Sequence, residues 1–132
     1  MQQIQIEPTY KTPKVIFDPQ TGAFRIEGKS ILVNVEEFYG PLLDWMDQFV
    51  KESTVKRVVF IFDIEYVNVA STKRFLFFLY KLKDLAVKGV AVEIEWHYHD
   101  QDDYMLEVGE DLAQMLQIPI SFKSYEELPP AN

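Results

Sequence analysis

Two stretches of this chain carry side chains that can do chemistry. The first is Glu95-Trp96-His97-Tyr98-His99. On a strand, successive side chains alternate between faces, so Glu95, His97 and His99 share one face. A carboxylate and two imidazoles at that spacing are a metal-binding arrangement. Glu93 and Lys88 nearby favour a simpler reading, a polar strand face. The acidic run Asp100-Gln101-Asp102-Asp103, with Glu107 beyond it, offers oxygen ligands to a divalent cation. It lacks the glycine and the closing glutamate of an EF-hand loop, so it reads as a solvated loop followed by a helix cap.

The second stretch is Tyr66-Val67-Asn68-Val69-Ala70-Ser71-Thr72. It joins an apolar run, Val58–Ile64, to a helical pattern that begins at about Ser71. Asn, Ser and Thr cap helices because their side-chain oxygens accept from free backbone N–H groups. A helix start carries unpaired donors and partial positive charge, which suits an anion. A strand end, two hydroxyls and a helix start therefore describe either a phosphorylation or phosphate site, or an ordinary cap.

The elements that must position these stretches follow from periodicity. Val58–Ile64 is a short β-branched and aromatic run, the pattern of a strand buried on both faces. Phe75, Phe78, Leu79, Leu82, Leu85 and Ala86 recur on one face of a helix that Lys88-Gly89 stops. Ile4–Glu7 and Val15–Phe17 read as strands, and Asp18–Gly22 as the turn into Ala23–Glu27. Gly28-Lys29-Ser30 is expected to turn the chain. Asn34 caps a helix with Glu36 and Glu37 in its first turn, and Phe38, Leu42, Trp45, Met46 and Phe49 line it; Pro41 kinks it or marks where its regular part begins. Val90–His99 alternates as a strand. Asp102 or Asp103 caps a third helix through Leu116, whose apolar residues include Met105, Leu106, Val108, Leu112, Met115 and Leu116. Ile118–Phe122 is the last strand, and 126–132 a frayed tail.

The order is β-rich, then α, β, α, β, α, β. Strand–helix–strand units are parallel and right-handed. The fold class is therefore α/β: a mixed sheet with a parallel centre and an N-terminal antiparallel hairpin, with about three helices packed on it. At 132 residues the chain is one domain by length. A net charge of −8 disfavours nucleic acid and anionic membranes as partners. There is no cysteine, which excludes disulfides and thiol catalysis and accords with a cytoplasmic protein. No apolar run is long enough to span a bilayer, and no signal-peptide pattern opens the chain. G-x-S-x-G, phosphate-binding glycine loops and dinucleotide fingerprints are absent, which argues against an enzyme and gives no cofactor.

An ordered set of short pieces runs along nearly the whole chain: Thr12-Pro13, Phe17-Asp18-Pro19 with Gly22, Ile26–Ser30, Glu37-Phe38-Tyr39 with Pro41, Trp45, Tyr66-Val67-Asn68 with Ser71 and Lys73, Trp96-His97-Tyr98, Asp102-Asp103, Met105-Leu106-Glu107, Gly109-Glu110-Asp111 and Ile118-Pro119. In these the chain resembles the SiaC family of bacterial regulatory phosphoproteins. The resemblance implies a fold similar to anti-sigma-factor antagonists and a non-enzymatic role in partner switching. It implies a Ser/Thr kinase that phosphorylates the Tyr-x-Asn segment, a PP2C-type phosphatase that reverses this, and a diguanylate cyclase that the unmodified protein activates. The output is cyclic di-GMP, linked to biofilm formation. The family's acceptor threonine falls on Val69 and the next serine on Ala70, so the resemblance leaves Ser71, with Thr72 beside it, as phosphorylation candidates. Leu32-Val33 also stands where the family usually has Pro-Glu. The alternative is a constitutive interaction protein with no switch.

A partner surface is expected on the outer side of the central helix, where Leu76, Phe77 and Tyr80 fall away from the core stripe beside Lys73. Trp96 shares an apolar face with Val92, Ile94 and Tyr98, and is expected to be structural.

Overall fold

A computed structural model describes residues 1–126. Three strands open the chain: β1 (Ile4–Ile6), β2 (Lys14–Asp18) and β3 (Ala23–Ser30). They are followed by α1 (Val35–Glu52), β4 (Arg57–Val67), α2 (Val69–Val87), β5 (Ala91–His99), α3 (Asp103–Leu116) and β6 (Ser121–Tyr125). The strands form one six-stranded sheet in sequential order. β1, β2 and β3 pair antiparallel, and β3 to β6 pair parallel. The expected class, parallel centre and N-terminal hairpin are all present. The part of the expected tail from residue 127 onward lies outside the described residues.

Each parallel crossover runs through a helix, and right-handed crossovers in sequential order place every helix on the same side. The burial pattern agrees. Phe17, Phe24, Ile26, Val58, Phe60, Phe62, Ile64, Ile94 and Trp96 point into the helices and are buried. Their neighbours Ile16, Arg25, Val59, Ile61 and Asp63 face the other way and stay partly accessible. β4 is thus buried on one face only, and the expectation of two covered faces is corrected: an uncovered face tolerates Asp63 because water reaches it. Aromatic rings fill the covered side. Phe24 meets Phe49 edge-on at 5.0 Å, Phe17 meets Phe60 at 5.7 Å, and Trp45 stacks on Phe49 at 5.5 Å. Each such buried ring is worth about 1.5–3 kcal/mol of transfer free energy.

Several boundaries differ from the sequence reading. Gly28-Lys29-Ser30 does not turn; it extends β3 beside the end of β4, with a register shift after Gly28 that leaves Glu65 unpaired. That bulge turns Tyr66 outward and Val67 into the core. Pro41 sits inside α1 on an exposed position, about two turns from the Asn34 cap. α2 starts at Val69, two residues early, because Asn68 and not Ser71 is the cap. β6 begins three residues late; Gln117 adopts a left-handed conformation (φ 51°) and Ile118–Ile120 only lead into the strand. Lys88-Gly89 does end α2, with Gly89 at φ 97°.

Candidate functional site

The site is built around the start of α2. Asn68 makes five hydrogen bonds there. Its Oδ1 accepts from the Ser71 N–H (3.0 Å), and its carbonyl accepts from the Thr72 N–H (3.0 Å) and Thr72 Oγ1 (3.1 Å). Its own N–H donates to the Ser30 carbonyl (3.0 Å), and its Nδ2 donates to the Leu32 carbonyl (2.8 Å). This is a helix cap that also fastens the β3–α1 loop.

The hydroxyls of the segment point inward. Ser71 is fully buried (0% exposed), and its Oγ accepts from Ser30 Oγ at 2.8 Å. A kinase reaches it only if the first turn of α2 opens. Thr72 is half-buried, with its hydroxyl held by Asn68. The side chain that does face solvent is Val69, 83% exposed at the first helical position. Tyr66 is exposed at the end of β4.

Val69 opens a groove. Together with Ala70, Thr72, Lys73 and Leu76 on α2, and Tyr104, Val108, Asp111, Leu112 and Met115 on α3, it lines a mainly apolar depression of about 460 Å³. On α3 the residues Tyr104, Val108, Asp111 and Met115 form a stripe at helical spacing. Met115, one of the apolar residues of the third helix, is 66% exposed. Tyr104, Val108, Asp111 and Met115 are the part of the site that sequence reasoning missed. The signal was present: their spacing runs beside the Met105, Leu112, Leu116 core stripe and not within it.

The four expected surface residues of α2 separate. Lys73 and Leu76 line the groove, and Tyr80 is half exposed on the same side of the helix. Phe77 is half-buried: Arg74 lies over its ring at 5.5 Å and also pairs with Glu36 of α1 at 3.4 Å. Lys73, Leu76 and Tyr80 thus lie along the groove side of α2, and half-buried Phe77 lies beside Arg74.

The histidine face is arranged differently. His97 Nε2 and Glu95 Oε1 are 2.8 Å apart, and Lys123 Nζ is 3.3 Å from the same oxygen. The His97 hydrogen bond, with Lys123 behind it, holds the Glu95 carboxyl below its usual range. His99 Nδ1 accepts from the Gln101 N–H (3.0 Å). Among the described residues, no group of three or more His, Cys, Asp or Glu side chains is arranged to hold a metal ion. Glu27, Asp63, Glu65, His97 and Tyr125 border a shallow depression at one end of the open face. Burial raises the Asp63 carboxyl above its usual range, against the pull of Arg25 2.8 Å away. Burial, then the nearby carboxylates of Asp63 and Glu65, raise the Tyr125 phenol. In the acidic loop Asp102 is the α3 cap, accepting from the Met105 N–H at 3.0 Å. Trp96 is structural as expected, 1% exposed with Nε1 donating to the Met105 carbonyl at 2.9 Å. No helix among the described residues is long and apolar enough to cross a membrane.

The fold has counterparts among known proteins. An uncharacterised protein of Pseudomonas aeruginosa (strain UCBPP-PA14) is 24% identical over 127 residues, covering 96% of this chain and all of that protein. The crystal structure of apo-SiaC from Pseudomonas aeruginosa superimposes with a TM-score of 0.85 at 24% identity, over 94% of this chain and all of that one. SiaC in the crystal structure of the diguanylate cyclase SiaD with its activator SiaC matches with a TM-score of 0.84 at 24% identity, over 92% of this chain and 99% of that one. The family model for SiaC family regulatory phosphoproteins matches residues 6–125, and the chain belongs to that family.

Proposed function

We propose that this chain is a non-enzymatic cytoplasmic signalling regulator that binds a diguanylate cyclase through the outer side of α2 and the α2–α3 groove. The observation that carries this is the groove itself. Val69, Leu76, Tyr104, Val108 and Met115 place apolar surface around it, with Lys73 and Asp111 at its walls, in a fold whose relative SiaC is an activator in complex with SiaD. Exposed apolar residues grouped beside a few charges mark protein contacts. Through the cyclase the output is cyclic di-GMP, and with it biofilm formation. The partner switching of the family adds a Ser/Thr kinase and a PP2C-type phosphatase as further partners.

A second reading concerns control, and it rests on Ser71 and Val69. The exposed position at the start of α2 carries no hydroxyl, and the matching serine is buried in a hydrogen-bonded chain. This supports a regulator that binds constitutively, with half-buried Thr72 as the more accessible acceptor if modification persists. Titration calorimetry against the purified cyclase tests the first reading. Measurable binding that Leu76→Asp abolishes, with the melting temperature retained, is the expected result; absence of binding by the wild type refutes it. Intact-mass measurement after incubation with the cognate kinase and ATP tests the second. No added phosphate is expected, and phosphate that disappears in Ser71→Ala or Thr72→Ala restores the switch.

A further inference from the structure

The hydroxyls of Ser30, Tyr39 and Ser71 form a buried chain across three elements. All three residues are 0% exposed. Ser30 Oγ donates to Ser71 Oγ at 2.8 Å, so its single proton is committed, and Tyr39 Oη must be the donor in the 2.6 Å contact with Ser30 Oγ. The direction is thus Tyr39 to Ser30 to Ser71, from α1 through the end of β3 to the first turn of α2. Tyr39 is otherwise packed among Phe38, Phe75 and Phe78, where a phenol oxygen has no other partner to gain. A buried hydroxyl without a partner costs more than the bond contributes, so the two bonds are coupled through Ser30 and losing one weakens the other.

The same residues converge on the cap. The Ser30 carbonyl accepts from the Asn68 N–H, and Asn68 in turn caps Ser71. Ser30 therefore holds the start of α2 by its backbone and by its side chain at once. Val69 lies between those two anchors, with no buried contact of its own to fix it.

We infer that Ser30, Tyr39 and Ser71 form a latch that fastens the first turn of α2 and so positions Val69 and Lys73 at the rim of the groove. They are positioning residues: none of them reaches the surface. The first half stands on the geometry alone; the second, that the latch serves docking, rests on the partner reading proposed above.

Tyr39→Phe removes only the oxygen and keeps the ring, so it is the informative variant, with Ser71→Ala as its companion. Amide hydrogen exchange reads the first turn without any partner. Expected is exchange at Thr72 and Lys73 faster by about tenfold, the factor one hydrogen bond of ordinary strength is worth. Leu79 and Leu82, further along α2, should change much less. The double variant should exchange more slowly than the two single effects combined predict, because both substitutions act through the one Ser30 hydroxyl. Unchanged exchange at Thr72 and Lys73, an equal change along all of α2, or additive effects in the double variant each overturn the latch. Calorimetry with the cyclase is the second arm, with affinity of Tyr39→Phe lowered about tenfold. If the wild type does not bind, the partner reading fails while the exchange result still decides the latch. If it binds and the variant binds equally well despite a loosened turn, the positioning role is overturned.

Discussion

A methyl group placed on Gly109 would lie 2.7 Å from Cδ1 and Nε1 of Trp96, so the indole and the α3 backbone leave no space between them. The contact sets how closely α3 approaches β5. Alanine at 109 would gain up to about 1 kcal/mol of helix propensity. Overpacking a filled core costs about 1–3 kcal/mol. Packing wins here, because the neighbouring atoms belong to a rigid ring held by the Nε1 bond to Met105. We predict that Gly109→Ala lowers the urea midpoint, and that Trp96→Ala costs about 3–5 kcal/mol. The double variant should lose less than the sum, since removing the indole makes room for the methyl.

Asp63 and Arg25 look like a stabilising pair, yet burial outweighs the arginine and leaves the Asp63 carboxyl raised. A raised carboxyl means that the charged form fits the folded protein less well than the neutral one. We predict that Asp63→Asn does not lower stability at pH 7 and lies within about 0.5 kcal/mol of wild type or above it. The sign then follows for pH: wild-type Asp63 binds its proton more readily folded than unfolded, so acid should close any advantage of the asparagine. Chemical denaturation of both proteins at pH 7 and pH 4 checks this, and a clear loss at pH 7 would show the ion pair dominating.

Glu95 has the opposite sign. Its carboxyl is depressed, first by His97 and then by Lys123. It therefore stabilises the fold above the ordinary glutamate value of about 4.3, and that contribution is lost as pH falls through the still lower folded value. We predict that Glu95→Gln costs about 1 kcal/mol at pH 7, the scale of a charge-assisted hydrogen bond. The gap to wild type should narrow below about pH 4, in the range where Asp63 works the other way. Melting temperatures across pH 3–7 read both trends.

Much of the architecture is legible in local pattern, because alternation and helical spacing report directly on a two-layer α/β core. Asn34, Asp102 and Gly89 act where capping chemistry places them. The misses have tertiary causes. β3 runs on through Gly28 because the end of β4 is there to pair with it, which no local signal shows. The open face of β4 depends on where the other helices go. At the site, the sequence singles out the start of α2 but not its orientation. Whether Ser71 looks out or in is decided by Ser30 and Tyr39, 41 and 32 positions away in the chain. Likewise Met115 reads only as one apolar residue of the third helix until α2 is placed beside α3, with Met115 lining the groove between them.

Val69 offers the sharpest separation of fold from binding. It occupies the first helical position of α2 and is 83% exposed, so its side chain contributes little to the core. Replacing it by glutamate places a negative charge at a helix N-terminus, which is favourable by about 0.3–1 kcal/mol. The first turn of α2 has no acidic residue of its own to compete with it. The same carboxylate would stand at the mouth of an apolar groove, where a docked partner must strip its water. The two effects have opposite signs and are read by different instruments. We predict that Val69→Glu keeps or raises the melting temperature while weakening affinity for the cyclase at least tenfold, about 1.4 kcal/mol. Val69→Thr should bind like wild type until a kinase acts on it, because its hydroxyl is small, uncharged and solvent-exposed. Unchanged affinity in Val69→Glu would remove this end of α2 from the partner surface and move the search along the helix to Leu76 and Tyr80.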